Sequence, residues 1–555
     1  MRFLGARGIY DNRYTKNKRL RGGVLKTLIK NGKIYIESGV FHDYMILEDG
    51  FILETGTGEP QIEADEVKDL EGRTVIPGLN DNHLHLFTLG DQGMTLRLQD
   101  ATSIEEIIQR GKDYLKDHPE TTFLFGVGWN QDYLEDGHMP TREDLEQIST
   151  EIPVMLERVC IHIATINTKL MEMMGIDKDT EIQGGTIGKD EQGELNGILE
   201  EAAKFSAIAL KPTFTDQDIE DRLLWGIRHA VKCGLTSIGS CDIMDGSVSY
   251  ERMFPILKKL SESGQMPLRY YGQFNITDPE ELKRYLETYY HDDAHYSDRF
   301  YKGALKLFAD GSLGARTALL LEPYSDDPST KGVVFLSREQ LKELHDIAHH
   351  QGVRVLTHSI GDGAITNTID TIVSLDEKNE MRHGIVHYQI TNEAIWERVK
   401  EHNIPVLLQP CFLNYDIDMA PKRVGPERAR VSYAFNSNYQ NYPLGTSFGT
   451  DCPVEDLNPF ENIYFAVTRQ NLKGDPAEGY FPEERMSVED AIDAYTISTS
   501  FGEGHEEIKG RLKKGYVADF VVLSDDIFTI EPSKIKDLYA VESYVGGESI
   551  YQREA

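Results

Sequence analysis

The sequence has few cysteines, no long apolar run and no sign of a secretion signal. Its five cysteines are scattered through 555 residues and include no CxxC pair, so a disulfide framework is not expected. No apolar stretch approaches the length that spans a bilayer. The basic opening, MRFLGARGIYDNRYTKNKRLRGG, lacks the apolar core of a signal peptide. We therefore expect a cytoplasmic protein.

The chain is also poor in positive charge. It has 58 Lys and Arg against 92 Asp and Glu, which gives a formal net charge of −34. A surface this acidic repels nucleic acid and anionic membranes, so neither is an expected partner. Hydrophobic residues make up 40% and charged residues 27%, which are ordinary values for a globular protein.

Eight apolar, strand-like segments recur along the middle of the chain, and amphipathic helical segments separate most of them. The first is TVIPGLNDNHLH, and the others lie at 236–243, 269–276, 303–311, 354–362, 384–390, 405–412 and 444–454. Strands that alternate with helices predict a parallel sheet. With eight strands, the natural solution is a closed (β/α)₈ TIM barrel.

Both ends of the chain are rich in strand and turn signals, and we predict that they form one small β-sandwich domain. The interval between the first and second barrel strands is about 150 residues, too long for one loop, so it must contain structure of its own. The predicted domains are the small β-domain (1–76 and 501–555) and the barrel (77–500), with an insertion at about 88–214 over its C-terminal face.

The stretch VIPGLNDNHLHLF places His83 and His85 two residues apart, behind Asp81, at the end of an apolar strand. Residues i and i+2 of a strand point to the same side, so both imidazoles are predicted to face the barrel mouth. Two neighbouring imidazoles suit a divalent metal ion. Two unrelated polar histidines are an equally common explanation of so short a motif.

Four other barrel strands also carry a polar residue at their C-terminal end or, for Lys306, somewhat inside it. These residues are Lys306, His358, His387 and Asp451, in strands four, five, six and eight. Barrel enzymes assemble their active sites at the C-terminal ends of the strands. Agreement among five strands therefore favours a shared site over chance.

These residues and several longer motifs resemble the amidohydrolase superfamily and, within it, the N-substituted formamide deformylase-like (amidohydrolase 3) branch. The motifs include GVGW (126–129), GGTIGKDEQGELNGIL (184–199), LFADGSLGARTALLLEPY (307–324), HSIGDGAI (358–365) and KKGYVADFVVL (513–523). The resemblance extends over nearly the whole chain. It implies a metal-dependent hydrolase that acts on carbon–nitrogen bonds other than peptide bonds in a small molecule, with an amide or an N-substituted formamide as the expected substrate.

The resemblance also implies a ligand set for one or two divalent ions, with zinc expected. His83 and His85 would bind the more buried ion with Asp451, and His358 and His387 would bind a second ion. Asp451 would also be the catalytic proton shuttle for a water that the metal activates, and His358 would help to stabilise the oxyanion. The alternatives are a deaminase or cyclic amidase at the same site, or a metal-bound regulatory or binding protein without catalysis.

Lys306 matches a lysine that related proteins carboxylate to bridge two metals, so a carbamate is expected there. The alternative is an ammonium ion paired with Asp310 or Asp451, because buried lysines are usually paired. The branch usually has a glutamate before the sixth-strand histidine, where this chain has Val386. Cys241, near the end of strand two, is a weaker ligand candidate because a free cysteine is most often a buried apolar residue.

Three residues are candidates for substrate contacts: Arg316, Trp129 and His162. Bracing of a loop is the alternative for Arg316, and core packing is the alternative for Trp129. The histidines of HDIAHH (345–350) are predicted to lie on a solvated helix face. A homodimer is expected from the general frequency of dimers.

Overall fold

The computed structural model describes residues 25–135, 137–244 and 248–554. The described residues up to Gly90 and from Glu220 onward form one compact unit, and Asp91–Ile219 form a second. Among the described residues, no helix is both long enough and apolar enough to cross a membrane.

The described strands, in chain order, are β1 (Lys26–Glu37), β2 (Val40–Glu48), β3 (Phe51–Gly56), β4 (Glu66–Asp69), β5 (Thr74–Pro77), β6 (Leu79–Leu84), β7 (Leu96–Arg97), β8 (Leu124–Trp129), β9 (Val154–Arg158), β10 (Ile163–Ile166), β11 (Gly185–Lys189), β12 (Leu195–Glu201), β13 (Leu235–Met244), β14 (Arg269–Asn275), β15 (Phe300–Phe308), β16 (Val355–Ser359), β17 (Gly384–His387), β18 (Val406–Leu408), β19 (Thr446–Phe448), β20 (Phe520–Leu523), β21 (Ala540–Val545) and β22 (Glu548–Gln552).

The described α-helices are α1 (Leu86–Gly93), α2 (Ile104–Asp117), α3 (Arg142–Glu146), α4 (Thr168–Met174), α5 (Ala202–Ile208), α6 (Asp216–Lys232), α7 (Tyr250–Glu262), α8 (Pro279–Tyr285), α9 (Arg338–His350), α10 (Asp362–Leu375), α11 (Glu393–Glu401), α12 (Leu413–Arg430), α13 (Phe435–Asn441), α14 (Pro459–Thr468), α15 (Val488–Tyr495) and α16 (Ile497–Glu503).

The predicted eight-stranded parallel barrel is confirmed. Strands β6 and β13–β19 are neighbours in the order β19-β18-β17-β16-β15-β14-β13-β6, and all seven pairings are parallel. The seam between β19 and β6 is joined just past the strand ends. There, the Asp451 N–H donates to the His83 carbonyl at 2.9 Å and the His85 N–H donates to the Cys452 carbonyl at 2.7 Å. The barrel therefore closes at residues that were predicted to bind metal.

Strands from both ends of the chain form a separate sheet in the order β22-β21-β20-β5-β1-β2-β3, with β4 paired to β1. Strand β20 pairs antiparallel with β5, and Val521 lies opposite Ile76. Its buried core includes Ile34, Val75 and Phe520. The described strands of both ends thus form one continuous sheet, and the two-layer β-sandwich that was predicted here is not confirmed.

The second unit has its own sheet, in the order β11-β12-β10-β9-β8-β7. One buried cluster lies around Trp129 and Leu156, and another lies around Met155, Leu170 and Leu199. The long interval between β6 and β13 therefore contains secondary structure and a hydrophobic core, as its length requires.

The prediction for HDIAHH was wrong at His345. Its side chain is fully buried, and its Nε2 lies 2.9 Å from the hydroxyl of Thr357 in barrel strand β16. His349 is half-buried and shares a hydrogen bond of 3.0 Å with His383. Because His345 follows the buried Leu341 by one helical turn, it lies on the apolar face of α9 rather than on the solvated face.

A buried ion pair joins the barrel to the terminal sheet. The Arg269 guanidinium, at the start of β14, donates to both carboxylate oxygens of Asp519 at 2.7 and 2.9 Å. Both side chains are buried, and the Gly546 N–H also donates to Asp519 at 2.7 Å. Burial raises the pKa of Asp519, but the Arg269 charge and these hydrogen bonds more than offset that effect, so the pKa lies below its ordinary value.

This pair predicts a pH-dependent contribution to stability. Because the pKa of Asp519 is depressed in the folded state, its contribution is complete above the unfolded carboxyl pKa of about 4 and is lost as the pH falls below that value. We expect Asp519→Asn to lower the free energy of unfolding by about 3–5 kcal/mol at pH 7, with the difference from wild type narrowing below about pH 4.

Urea unfolding at several pH values measures this difference. Asp370→Asn is the matched control, because Asp370 pairs with Arg338 and Arg398 at the partly exposed surface, where ion pairs contribute little. Equal losses of unfolding free energy in the two variants, or a loss in Asp519→Asn that does not depend on pH, would contradict the stabilising role of the Arg269–Asp519 ion pair.

Candidate metal centre

The C-terminal ends of the barrel strands bring the six predicted ligands into one region. His83 lies in β6, Lys306 in β15, His358 in β16 and His387 at the end of β17, whereas His85 follows β6 by one residue and Asp451 follows β19 by three. All six belong to the first unit.

His83, His85 and Asp451 converge tightly. One ligand atom from each of the three lies within 4.8 Å of the others, and the Nε2 atoms of both histidines are 3.3 Å from Asp451 Oδ1. His83 Nε2 is buried and has no hydrogen-bond partner within the described residues. A divalent cation would satisfy this orphaned nitrogen, since imidazole and carboxylate are its usual ligands. The three residues therefore fit a metal ion.

The outer nitrogens of these two histidines explain why Nε2 faces inward. His83 Nδ1 lies 2.6 Å from the Gln273 amide oxygen, and His85 Nδ1 lies 2.9 Å from the Cys241 carbonyl. Because both partners are acceptors, each Nδ1 carries the proton and each Nε2 keeps a free lone pair. The amide of Gln273 is itself oriented, because its NH₂ group donates to the Asn82 carbonyl at 2.9 Å.

His358 and His387 form a second pair whose ring centroids are 4.4 Å apart. The Gln409 amide oxygen lies 2.9 Å from His387 Nδ1, which leaves Nε2 free. His358 Nε2 instead faces the Gly311 carbonyl at 3.2 Å, so its Nδ1 is the free nitrogen. The ring of His387 is also 6.3 Å from that of His83, and the two pairs are therefore adjacent.

An unusual backbone directs His387 into the barrel. Val386 already faces the interior, where it packs with Ala304, Leu356 and Leu407, so strict alternation would turn the next residue outward. His387 instead has φ of +75°, and Tyr388 has φ of +50°. This left-handed backbone, which is rare outside glycine, lets two successive residues of β17 face inward. The glutamate expected at position 386 is thus replaced by part of an apolar layer.

Asp81 ties the first strand to the loop that carries Asp451. Its carboxylate accepts hydrogen bonds from the Thr450 hydroxyl at 2.7 Å and from the N–H groups of Thr450 and His83, each at 3.2 Å. A Cβ at Gly449 would lie 2.8 Å from Asp81 Oδ1, so glycine is required at that position. Burial raises the pKa of Asp81 to about 7, although these hydrogen bonds act against the shift.

Lys306 is fully buried, and its Nζ has no hydrogen-bond partner within the described residues. Asp310, one of the two partners considered for it, instead accepts three backbone N–H groups at 2.8–3.0 Å. Burial lowers the pKa of Lys306 to about 8, although the charges of Cys241 and Asp451 act in the opposite direction. A neutral amine is therefore accessible near physiological pH.

Burial also keeps most of the imidazoles neutral. It lowers the pKa of His358 to about 3, and the Lys306 charge adds to the effect. The pKa values of His83 and His387 likewise lie well below normal because of burial. At His85, the Asp451 carboxylate outweighs burial and raises the pKa. Neutral imidazoles are the form that binds metal.

Cys241 takes part through its backbone carbonyl, which accepts from His85. Burial raises the pKa of its thiol to about 12, so the thiolate that metal binding needs is disfavoured.

The three substrate-contact candidates have local partners. Arg316 pairs with both oxygens of Asp326 at 3.0 and 3.1 Å within its own loop. Trp129 is fully buried in the second unit, where its indole N–H donates to the Leu156 carbonyl at 2.8 Å. His162, also in the second unit, is exposed and lies 3.1 Å from Glu201.

Gln273 and Gln409 were not among the predicted site residues. Each is a polar residue inside a predicted barrel strand, RYYGQFNI or PVLLQPCF, and that is the signal by which they could have been found. Buried amides need hydrogen-bond partners, and at the end of a barrel strand a histidine is one available partner.

Comparison with known proteins extends over nearly the whole chain. Residues 66–551 match the model of the Amidohydrolase family. The chain is 31% identical to the amidohydrolase YtcJ of Bacillus subtilis over 544 residues, which cover 95% of this chain and 100% of that protein. It is 22% identical to the N-substituted formamide deformylase of Arthrobacter pascens over 501 residues, covering 88% and 90% of the two chains. A crystal structure of a metal-dependent hydrolase from Pyrococcus horikoshii matches with a TM-score of 0.73 at 28% identity, covering 91% of this chain and 99% of that one.

Because Gln273 orients the imidazole of His83, its loss is expected to weaken metal binding. Gln273→Leu preserves the approximate side-chain size but removes the oxygen that orients the imidazole. We expect the affinity for the first Zn²⁺ ion to fall about 10–100-fold, as measured by competition with a chromophoric chelator. Gln340→Leu, on the exposed start of α9, is the control and should bind Zn²⁺ as wild type does. Unchanged affinity in Gln273→Leu would show that His83 does not need this support.

Proposed function

Because the chain belongs to the amidohydrolase family, we propose that it hydrolyses the carbon–nitrogen bond of a small amide or N-substituted formamide. The family makes it a metal-dependent hydrolase, and the substrate class is the proposal. The observation that carries it is the approach of one carboxylate, that of Asp451, to the inward nitrogens of both His83 and His85. This arrangement supplies a metal site and a proton-transfer group in one place.

His83, His85 and Asp451 would hold one divalent ion, with zinc as the expected metal, and Lys306, His358 and His387 would hold a second. When bound, such ions act as Lewis acids and make water nucleophilic at neutral pH. The fit of the first site rests on the unsatisfied Nε2 of His83 and on the converging donors.

Asp451 is suited to move the proton. Its Oδ1 faces both histidines, whereas its Oδ2 accepts no hydrogen bond from any residue that the structure describes. Oδ2 is thus free to accept a proton from the attacking water and to deliver it to the departing nitrogen. An amide nitrogen leaves poorly until it is protonated, so this delivery decides the rate of C–N cleavage.

His358 is better suited to bind metal than to stabilise an oxyanion directly. Its Nε2–H already donates to Gly311, and burial keeps the ring neutral. Its Nδ1 is therefore a lone-pair donor and has no proton to give to a developing oxyanion.

We also propose a carbamate on Lys306. The neutral amine attacks CO₂, a C–N bond forms, and one proton is released to solvent. The buried Nζ, which has no hydrogen-bond partner in the described part of the chain, and the lowered pKa of the amine support this step. The product is an anionic oxygen ligand in place of a cation beside the metal site.

Asp451→Asn tests the proton-transfer role. We expect the variant to retain metal, because one ligand oxygen remains, and to lose at least about 100-fold in turnover, since general acid–base catalysis contributes 10²–10⁴-fold. Metal content is measured by mass spectrometry, and turnover is measured as amine release from a panel of amides and N-substituted formamides. Asp456→Asn, an exposed carboxylate on the same loop, is the matched control.

Near-normal turnover in Asp451→Asn would exclude Asp451 as the proton shuttle. Turnover of cyclic amides or amino-heterocycles alone by the metal-loaded wild type would replace the proposed substrate class with the alternative one. Absence of turnover on every panel would overturn the substrate proposal.

Reconstitution of the metal-free protein tests the carbamate. With bicarbonate present, we expect two ions per chain, and without it we expect one, because the bridging ligand cannot form. Lys306→Met should bind one ion under both conditions. Two ions per chain in Lys306→Met would contradict the bridging role of Lys306.

A further inference from the structure

The barrel is hollow below the metal centre. A cavity of about 610 Å³ lies at the N-terminal end of the strands, where TIM barrels are ordinarily filled by layers of bulky side chains. Small residues, Gly239, Gly303 and Ala304, line part of its wall. Its rim includes Glu380 and Glu507, which are exposed to solvent. The cavity is therefore open to small molecules from the face opposite the metal centre.

The strand pattern places this cavity directly beneath the predicted ligands. Arg354, Leu356 and His358 are spaced two residues apart along the β16 segment, so they follow one face from the barrel bottom to the metal centre. Arg354 and Leu356 line the cavity, whereas His358 lies at the centre. At the inner end, Ala304, Leu356 and Leu407, which belong to one buried cluster, form an apolar wall.

Arg354 brings a positive charge into this space. Its guanidinium donates to the backbone carbonyls of Arg382 and Gly502, and it forms no ion pair within the described residues. Burial lowers the pKa of Arg354 to about 10, against the opposing charge of Glu503. The guanidinium is half-buried, and one that donates only to carbonyls still gains from an anionic partner.

The other charged groups lining the cavity are mostly paired. Arg382 pairs with Glu506 at 2.7 Å, and Lys302 pairs with Asp293 at 2.7 Å. Glu503 pairs with the buried Lys509 at 2.8 Å. Among the described lining residues inside the cavity, the charge without an ion-pair partner is therefore that of Arg354, since Glu380 and Glu507 are at the exposed rim.

We propose that this cavity binds a small organic carboxylate, with the carboxylate against Arg354 and the apolar body against Leu356 and Leu407. A guanidinium recognises a carboxylate by charge and by hydrogen bonding. The volume lies within the range of small-molecule sites, about 300–1,000 Å³. Gln273 lines the inner end and also contacts His83, so the occupant lies one side chain away from the metal centre.

Calorimetric titration of the metal-loaded, full-length protein with sodium benzoate tests the proposal. Nitrobenzene is the neutral match of the same shape and has no amide bond that the metal centre could cleave, and ionic strength is held constant with sodium chloride. We expect one benzoate per chain, bound at least tenfold more tightly than nitrobenzene. Arg354→Met should weaken benzoate binding at least tenfold, Arg354→Lys should weaken it less, and Arg338→Met, which removes an exposed arginine, should leave it unchanged.

Equal binding of benzoate and nitrobenzene, or no saturable benzoate binding, would overturn the proposal without any variant. Benzoate that binds Arg354→Met as it binds wild type, but is lost when the metal is removed by chelation, would place the carboxylate on the metal and would also overturn it. If Arg354→Met does not fold, the benzoate–nitrobenzene comparison and Arg354→Lys decide the outcome. The experiment requires no turnover, so its result is independent of the substrate class.

Discussion

The metal centre depends on the seam that joins the first and last strands of the barrel. The Asp81 carboxylate holds the hydroxyl and N–H of Thr450, 369 positions along the chain, and the Asp451 N–H bonds to the carbonyl of His83. Closing so long a loop has an entropic cost that only the packed barrel repays. Because Asp451 reaches the two histidines only when the seam is closed, bound metal stabilises the folded chain through its affinity for that state.

At the metal centre, hydrogen bonds orient the candidate histidine ligands, and burial sets their protonation state. Amide and carbonyl oxygens fix the outer nitrogens of the histidines, so each free lone pair points into the centre. Burial then keeps His83, His358 and His387 neutral. Below, the apolar layer of Ala304, Leu356, Val386 and Leu407 separates the centre from the cavity. The apolar layer that borders the metal centre on one side thus also forms the inner wall of the cavity on its other side.

Much of the barrel and of the candidate metal centre could be predicted from the sequence. The strongest signals are the regular alternation of apolar and helical segments and the metal-binding residue types at the strand ends. The eight barrel strands follow from apolar runs separated by helical segments, and the candidate ligands follow from polar residues at or near the ends of those runs. Gln273 and Gln409 escaped prediction because an amide carries no chemistry of its own, and its role appears only when a histidine lies opposite. The inward turn of His387 depends on a left-handed backbone that the alternation rule does not anticipate. His345 was misassigned because histidine alone does not reveal whether a helix face is buried.

The terminal sheet has a consequence for how the chain is made. Strands β1–β5 are synthesised before the barrel, yet β5 obtains its second neighbour, β20, only after the whole barrel has been made. Until then, the edge of β5 presents unpaired backbone groups next to apolar residues such as Val75 and Ile76, and exposed edges of this kind invite association with other chains. The nascent chain is therefore exposed to association with other chains from the synthesis of β5 until the synthesis of β20. The duration of this exposure is the time needed to translate the whole barrel, which lies between the two strands.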